Sequence, residues 1–172
     1  NPFLPDYELC QRAMLPSEKL IEAFVEDQEI AGDLPLVRVI LSGHAHYDHL
    51  DSWTVENLPA TVGWYVPLGM AEFFRQRGRD DVTELDWWQS AKRGRWTITC
   101  LPSQHWSRRS IGDTNQTLWC AWLLDSGEYT YFFAGDTGYF DGFAAYGREF
   151  GPIDVALLPI GAYAPRWFMK DQ

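Results

Sequence analysis

The sequence predicts an α/β (α+β) layered fold. Short apolar runs rich in branched and aromatic residues alternate with stretches whose apolar residues recur at helical spacing. Three of the apolar runs end in a small residue and then a residue of metal-ligand type, so the candidate ligands fall in loops that follow strands.

In chain order, Ser17 can cap a helix whose Leu20, Ile21, Phe24 and Val25 lie on one face, ending near Gly32. Leu36-Val37-Arg38-Val39-Ile40-Leu41 reads as a buried strand over 36–42. A short helix is expected near 51–58, a strand from Thr61 to Val66, and a helix over Met70–Gln76 stopped by Gly78. Strands are expected near 82–86, 95–101, 117–125 and 129–134, the last two joined by the turn Ser126-Gly127. A helix near 141–148 and a strand at 154–159 close the order. No repeat or low-complexity linker interrupts it, and 172 residues are one domain's length. Trp64-Tyr65, Trp87-Trp88, Trp119 and Trp122 stand among small or apolar residues, so core packing is their expected role.

The composition bounds the function. Hydrophobic residues make up 46% and charged residues 22%, which is ordinary globular usage. No apolar run approaches the ~18–20 residues of a membrane span. The net charge of −10 argues against a nucleic-acid partner. Cys10, Cys100 and Cys120 are widely spaced, with no CxxC pair, so they read as packed thiols in a reducing compartment. A cytoplasmic or peripheral-membrane location is the expectation. Charge is uneven: residues 1–60 are acidic, whereas Arg75, Arg77, Arg79, Lys92, Arg93, Arg95, Arg108 and Arg109 crowd residues 75–109. That stretch is either solvated surface charge or an anion-steering rim, with Arg108 and Arg109 the candidates for the rim.

Of four histidines, three fall in Ser-Gly-His-Ala-His-Tyr-Asp-His-Leu-Asp (42–51), directly after the first strand. Three imidazoles with a carboxylate among them call for a shared cation, and Zn²⁺ takes such donors at about 2.0–2.2 Å. His44 and His46 are two apart and point the same way on extended backbone. Asp48 and His49 follow once the chain turns, so they can aim at a second point. Paired hydrolytic metals lie about 3.5–4 Å apart. His105, in Pro-Ser-Gln-His-Trp, and Asp136, in Ala-Gly-Asp-Thr-Gly, repeat the pattern of strand, small residue and ligand.

The order His-x-His-x-Asp-His, a lone His, then Gly-Asp resembles the metallo-β-lactamase superfamily. Within it the chain is most similar to the N-acyl-phosphatidylethanolamine phospholipase D-like branch, through Trp64-Tyr65-Val66-Pro67-Leu68-Gly69, Glu84-Leu85-Asp86-Trp87-Trp88, Pro102-Ser103-Gln104-His105-Trp106 and Pro165-Arg166-Trp167-Phe168-Met169. The resemblance implies an αββα sandwich, here incomplete at both ends: residues 1–172 as one domain without its first hairpin and its C-terminal part. It implies a zinc-dependent hydrolase in which a metal-held hydroxide attacks a phospholipid phosphodiester. His44, His46 and His105 would hold the first metal, Asp48 and His49 the second, and Asp136 would bridge, with Asp48 and Asp136 the catalytic carboxylates. The family's further histidine on the second metal has no counterpart, so that position is expected to lack one ligand. Asp51 would accept a ring N–H and fix a ligand tautomer, a role compatible with capping the helix that follows. Trp106, Arg108, Arg109 and Trp167 would contact the substrate, a small molecule or phospholipid, and peripheral membrane contact is allowed.

Three alternatives stand beside this reading. A lactone or thioester hydrolase would use the same metals. A noncatalytic metal-binding fragment would account for the missing ligand. Asp136-Thr137-Gly138 also matches an aspartic-protease motif, but one copy would require a dimer and leaves the histidines unexplained.

Overall fold

The computed structural model describes residues 39–161 and 164–169, so Cys10, the helix expected after Ser17 and residues 36–38 lie outside it. The first sheet is parallel, with β1 (Val39–Leu41), β2 (Gly63–Pro67) and β3 (Val82–Leu85) in that order. Each crossover carries a short helix, α1 (Ser52–Asn57) and α2 (Ala71–Arg75). Strand β2 is buried along its whole length, as a central parallel strand covered on both faces must be.

Side-chain alternation along β2 separates two layers of core. Trp64 and Val66 pack with Val55 of α1 and Phe74 of α2, while Tyr65 points the other way, against Ile98, Cys100 and Trp122 of the second sheet. That second sheet has the order β4 (Ser90–Arg93), β5 (Trp96–Leu101), β6 (Ala121–Asp125), β7 (Thr130–Phe133) and β8 (Val155–Leu157). Its pairs are antiparallel except β7 with β8. Its outer face, through Leu101, Leu123 and Phe132, packs on Tyr146 of α3 (Gly142–Phe150). The layers are therefore helix, sheet, sheet, helix. A last helix, α4, spans Arg166–Met169.

Several expectations are corrected. Strand β4 was not anticipated, because Ser90-Ala91-Lys92-Arg93 is polar; it is an edge strand, where charge guards against further pairing. Residues 117–120 do not join β6. Instead, Leu118 N–H donates to Leu68 O (2.8 Å) and Cys120 N–H to Gly43 O (2.8 Å), so this segment reaches the first sheet's loops. Trp88 is half exposed at positive φ (67°), not core. Cys100 and Cys120 are buried free thiols. Among the described residues no helix is long and apolar enough to cross a membrane.

Candidate metal centre

Each ligand-type residue stands just past the C-terminal end of a strand: His44 after β1, His105 after β5, Asp136 after β7. The first loop closes through His49 N–H and Leu50 N–H, both donating to His46 O (3.2 and 2.9 Å). That turn separates His44 and His46 from Asp48 and His49. Asp51 then caps α1, its Oδ2 accepting from Thr54 N–H (2.7 Å) and Thr54 Oγ1 (2.8 Å). Backbone contacts draw the loops together. Gly138 N–H donates to Gln104 O (2.8 Å) and Gln104 N–H to Thr137 Oγ1 (2.9 Å), tying the His105 loop to the Asp136 loop. Gly135 turns the chain at φ 61°, a left-handed conformation that strains any other residue.

The four imidazoles and Asp136 converge. His44 Nε2 lies 2.9 Å from His46 Nδ1, and the His44 and His105 ring centroids are 4.6 Å apart. His49 Nε2 is 2.9 Å from Asp136 Oδ2, and His105 Nε2 is 3.9 Å from the same oxygen. Two donor groups result, with all donor atoms of each within 4.8 Å: His44, His46 and His105; and His44, His49 and Asp136. The resemblance assigns His44 to the first metal alone, whereas here it belongs to both groups. Asp48 falls in neither: it is exposed, with Oδ2 3.5 Å from His49 Nε2.

The donor chemistry fits a cation. His46 Nε2 and His105 Nε2 are buried without a hydrogen-bond partner among the described residues. Such atoms cost free energy unless something binds them. Burial pushes the His44 imidazole down to about 3, aided by the neighbouring His105, His49 and His46, and pushes His105 down to about 4. Burial also lowers His46. These rings are neutral and can donate lone pairs. The His49–Asp136 contact raises the histidine and holds the carboxyl below its usual range.

A prediction follows for the metal-free chain. Three depressed histidines take up protons more readily in the unfolded chain than in the folded one, so stability falls as pH drops below about 6.5. The raised His49 acts oppositely, but it is one ring against three. The melting temperature of chelator-treated protein should fall from pH 7.5 to 5, and a flat or rising profile would contradict the buried neutral cluster.

The remaining candidates divide. Trp106 packs edge-on against the His46 ring (centroids 4.4 Å), and the Arg108 guanidinium lies 5.6 Å from the Trp106 ring centroid. Both line a cleft of about 630 Å³ with His46, Tyr47, Asp48 and Arg109. Arg109, expected on substrate, spends its donors on the protein: Nη1 to Leu50 O (2.6 Å) and Ala45 O (3.2 Å), Nη2 to Ser52 Oγ (2.8 Å). Trp167 is exposed on α4 and is not among the residues lining this cleft. Ser107, which sequence reasoning passed over, is fully buried beneath the first loop and donates or accepts at Thr117 Oγ1 (2.7 Å). A lone serine two residues after a ligand carries no pattern that would have flagged it.

Residues 19–172 match the beta-lactamase superfamily domain. The chain belongs to the metallo-β-lactamase superfamily. It is 42% identical over 152 residues to N-acyl-phosphatidylethanolamine-hydrolyzing phospholipase D 1 of Caenorhabditis elegans, covering 81% of this chain and 43% of that protein. It is 39% identical to the mitochondrial enzyme of that description from Saccharomyces cerevisiae, covering 81% of this chain and 32% of that one. The chain thus spans less than half the length of these relatives. A metal-dependent hydrolase of Thermococcus kodakarensis is 28% identical over 83% of the chain and 60% of its own length. Among solved structures, the diiron β-hydroxylase CmlA of Streptomyces venezuelae superposes at TM-score 0.59 with 24% identity, covering 82% of this chain and 29% of that one. An isothiocyanate hydrolase from Delia radicum gut bacteria also reaches 0.59, at 22% identity over 76% of this chain and 53% of that one. These two show the superfamily's fold, and their different chemistries leave function to the site.

Proposed function

We propose that this chain is the metal-holding domain of a zinc-dependent, phospholipase D-type phosphodiesterase that acts on N-acyl-phosphatidylethanolamine-like phospholipids. The observation that carries the reading is a cluster of four imidazoles and Asp136, two of its buried ring nitrogens unpartnered among the described residues, opening on a cleft walled by Arg108 and Trp106. The two relatives named for that hydrolysis support the substrate class.

His44, His46 and His105 would hold one zinc, and His49 and Asp136 a second with His44 near both. When bound, such a pair supplies a Lewis acid for a phosphoryl oxygen and water activated near neutral pH. The chain's own residues do the rest. Asp136, kept anionic by its contact with His49, also faces His105 Nε2 of the first group at 3.9 Å, and would serve as the carboxylate between the two positions. Arg108 offers guanidinium donors to the non-bridging oxygens of an anionic phosphodiester. Asp48, exposed at the cleft wall, would take up the proton released from water as it is activated. Trp106 and Tyr47 present aromatic surface beside it for the apolar part of a lipid. Asp51 serves the site by fixing the turn that carries His49, through its cap on α1.

The test is hydrolysis of vesicles containing N-acyl-phosphatidylethanolamine, read as release of N-acylethanolamine, against a neutral lactone. Phosphodiester cleavage that chelation abolishes and zinc restores is the expected result. Lactone cleavage without phosphodiester cleavage would replace this reading with the carboxylic-ester one.

A further inference from the structure

Ala45 is buried between the ligands His44 and His46, and both its backbone polar groups are held by one distant loop. Its N–H donates to Ser107 Oγ at 3.3 Å, and its carbonyl accepts from Arg109 Nη1 at 3.2 Å. The same nitrogen reaches Leu50 O at 2.6 Å, and Nη2 reaches Ser52 Oγ at 2.8 Å. One guanidinium therefore grips the start and the end of the loop that carries His44, His46 and His49. The grip is itself held. Arg109 Cζ lies 4.3 Å from the Phe73 ring centroid and 4.5 Å from that of Tyr47, and Arg109 N–H donates to Asp113 Oδ1 at 3.0 Å. Ser107 Oγ bonds Thr117 Oγ1 at 2.7 Å, and Ser107 N–H donates to Asn115 Oδ1 at 3.1 Å.

We propose that Ser107 and Arg109 are positioning residues, a clamp that locks the His44–His46 backbone to the His105 loop and so sets the geometry of the first donor group. Ser107 and Arg109 lie two and four residues after His105. The clamp thus fixes the separation of ligands that come from different sheets, His44 and His46 after β1 and His105 after β5. Arginine suits the task because its planar fork can serve two carbonyls and a hydroxyl at once, whereas a lysine ammonium is a single point. The positive charge beside a cation site is tolerable here because its donors are turned to the Ala45 and Leu50 carbonyls and the Ser52 hydroxyl.

This inference rests on the metal-centre reading, and the experiment separates the two by measuring metal binding rather than hydrolysis. Zinc affinity is read by competition with a chromophoric chelator, coordination geometry by the visible bands of the Co²⁺-loaded chain, and folding by melting of the metal-free chain. Arg109→Lys and Ser107→Ala should stay folded yet lose about 10–100-fold in zinc affinity, the usual cost of removing a residue that orients ligands, with altered Co²⁺ bands. Arg109→Met should lose at least as much; should it fail to fold, the other two variants still decide. Wild-type affinity and unchanged bands in Arg109→Lys and Ser107→Ala would overturn the clamp. So would full rescue by lysine of a loss seen with methionine, since charge rather than the fork would then be acting. No metal on the wild-type chain would overturn the metal-centre reading and the clamp with it.

Discussion

Replacing His44 with alanine is expected to empty both metal positions, whereas His46→Ala should empty only one. His44 is buried and stands in both candidate donor groups, while His46 belongs to the first alone. Zinc sites built from four ligands are worth about 10–16 kcal/mol, so a lost imidazole costs roughly 3 kcal/mol, or about 100-fold in affinity. A neutral imidazole has one lone pair, so His44 would ligate one ion, but its buried ring also packs on His49 (centroids 4.5 Å), so its removal disturbs the second position as well. The check is elemental analysis after passage over chelating resin. Near-zero zinc in His44→Ala with about one equivalent left in His46→Ala is the expected pattern. If His44→Ala keeps wild-type zinc, the placement of His44 in both groups is wrong.

The contrast between these two variants marks where the sequence stops being informative. The period-2 pattern places His44 and His46 on one side of extended backbone, and the later turn sets Asp48 and His49 apart from them. Direction is therefore legible. Distance is not, because the approach of His44 to Asp136 depends on how two sheets stack, through Tyr65, Cys100 and Trp122. Strands β2, β5 and β6 were legible for the same reason that they are buried, their runs of Val, Ile, Leu and aromatic residues, while β8 was legible from the same composition though it is exposed. Edge strand β4 was not, since its exposed polar residues carry no burial signal. Arg109 shows a third limit. A basic residue near a ligand histidine invites an anion-binding role, but its donors go to Ala45 and Leu50 carbonyls some sixty residues earlier in the chain. Backbone oxygens have no identity in a sequence, so no pattern announces such a contact.

That difference between adjacent arginines yields the other large expected effect. Arg108→Ala should lower kcat/KM on an anionic phosphodiester while sparing a neutral lactone. Arg108 lines the cleft with Trp106 and His46, and its charge adds, after burial and the neighbouring His49, to the depression of the His46 imidazole. A charge-assisted hydrogen bond to a phosphate oxygen is worth about 1.5–3 kcal/mol. If that bond tightens in the transition state, its loss slows turnover by roughly tenfold to a hundredfold. A neutral lactone presents no phosphate charge and should lose little. Arg109→Ala should behave differently, lowering both activities together, because it acts on the metal centre that either substrate needs. Steady-state kinetics on both substrates for both variants read the distinction directly. Equal losses for Arg108→Ala on the two substrates, or none on either, would make Arg108 surface charge. The phosphodiester assignment would then rest on the relatives alone. A selective phosphodiester loss in Arg109→Ala, with lactone turnover intact, would instead return that residue to the substrate and remove it from the clamp.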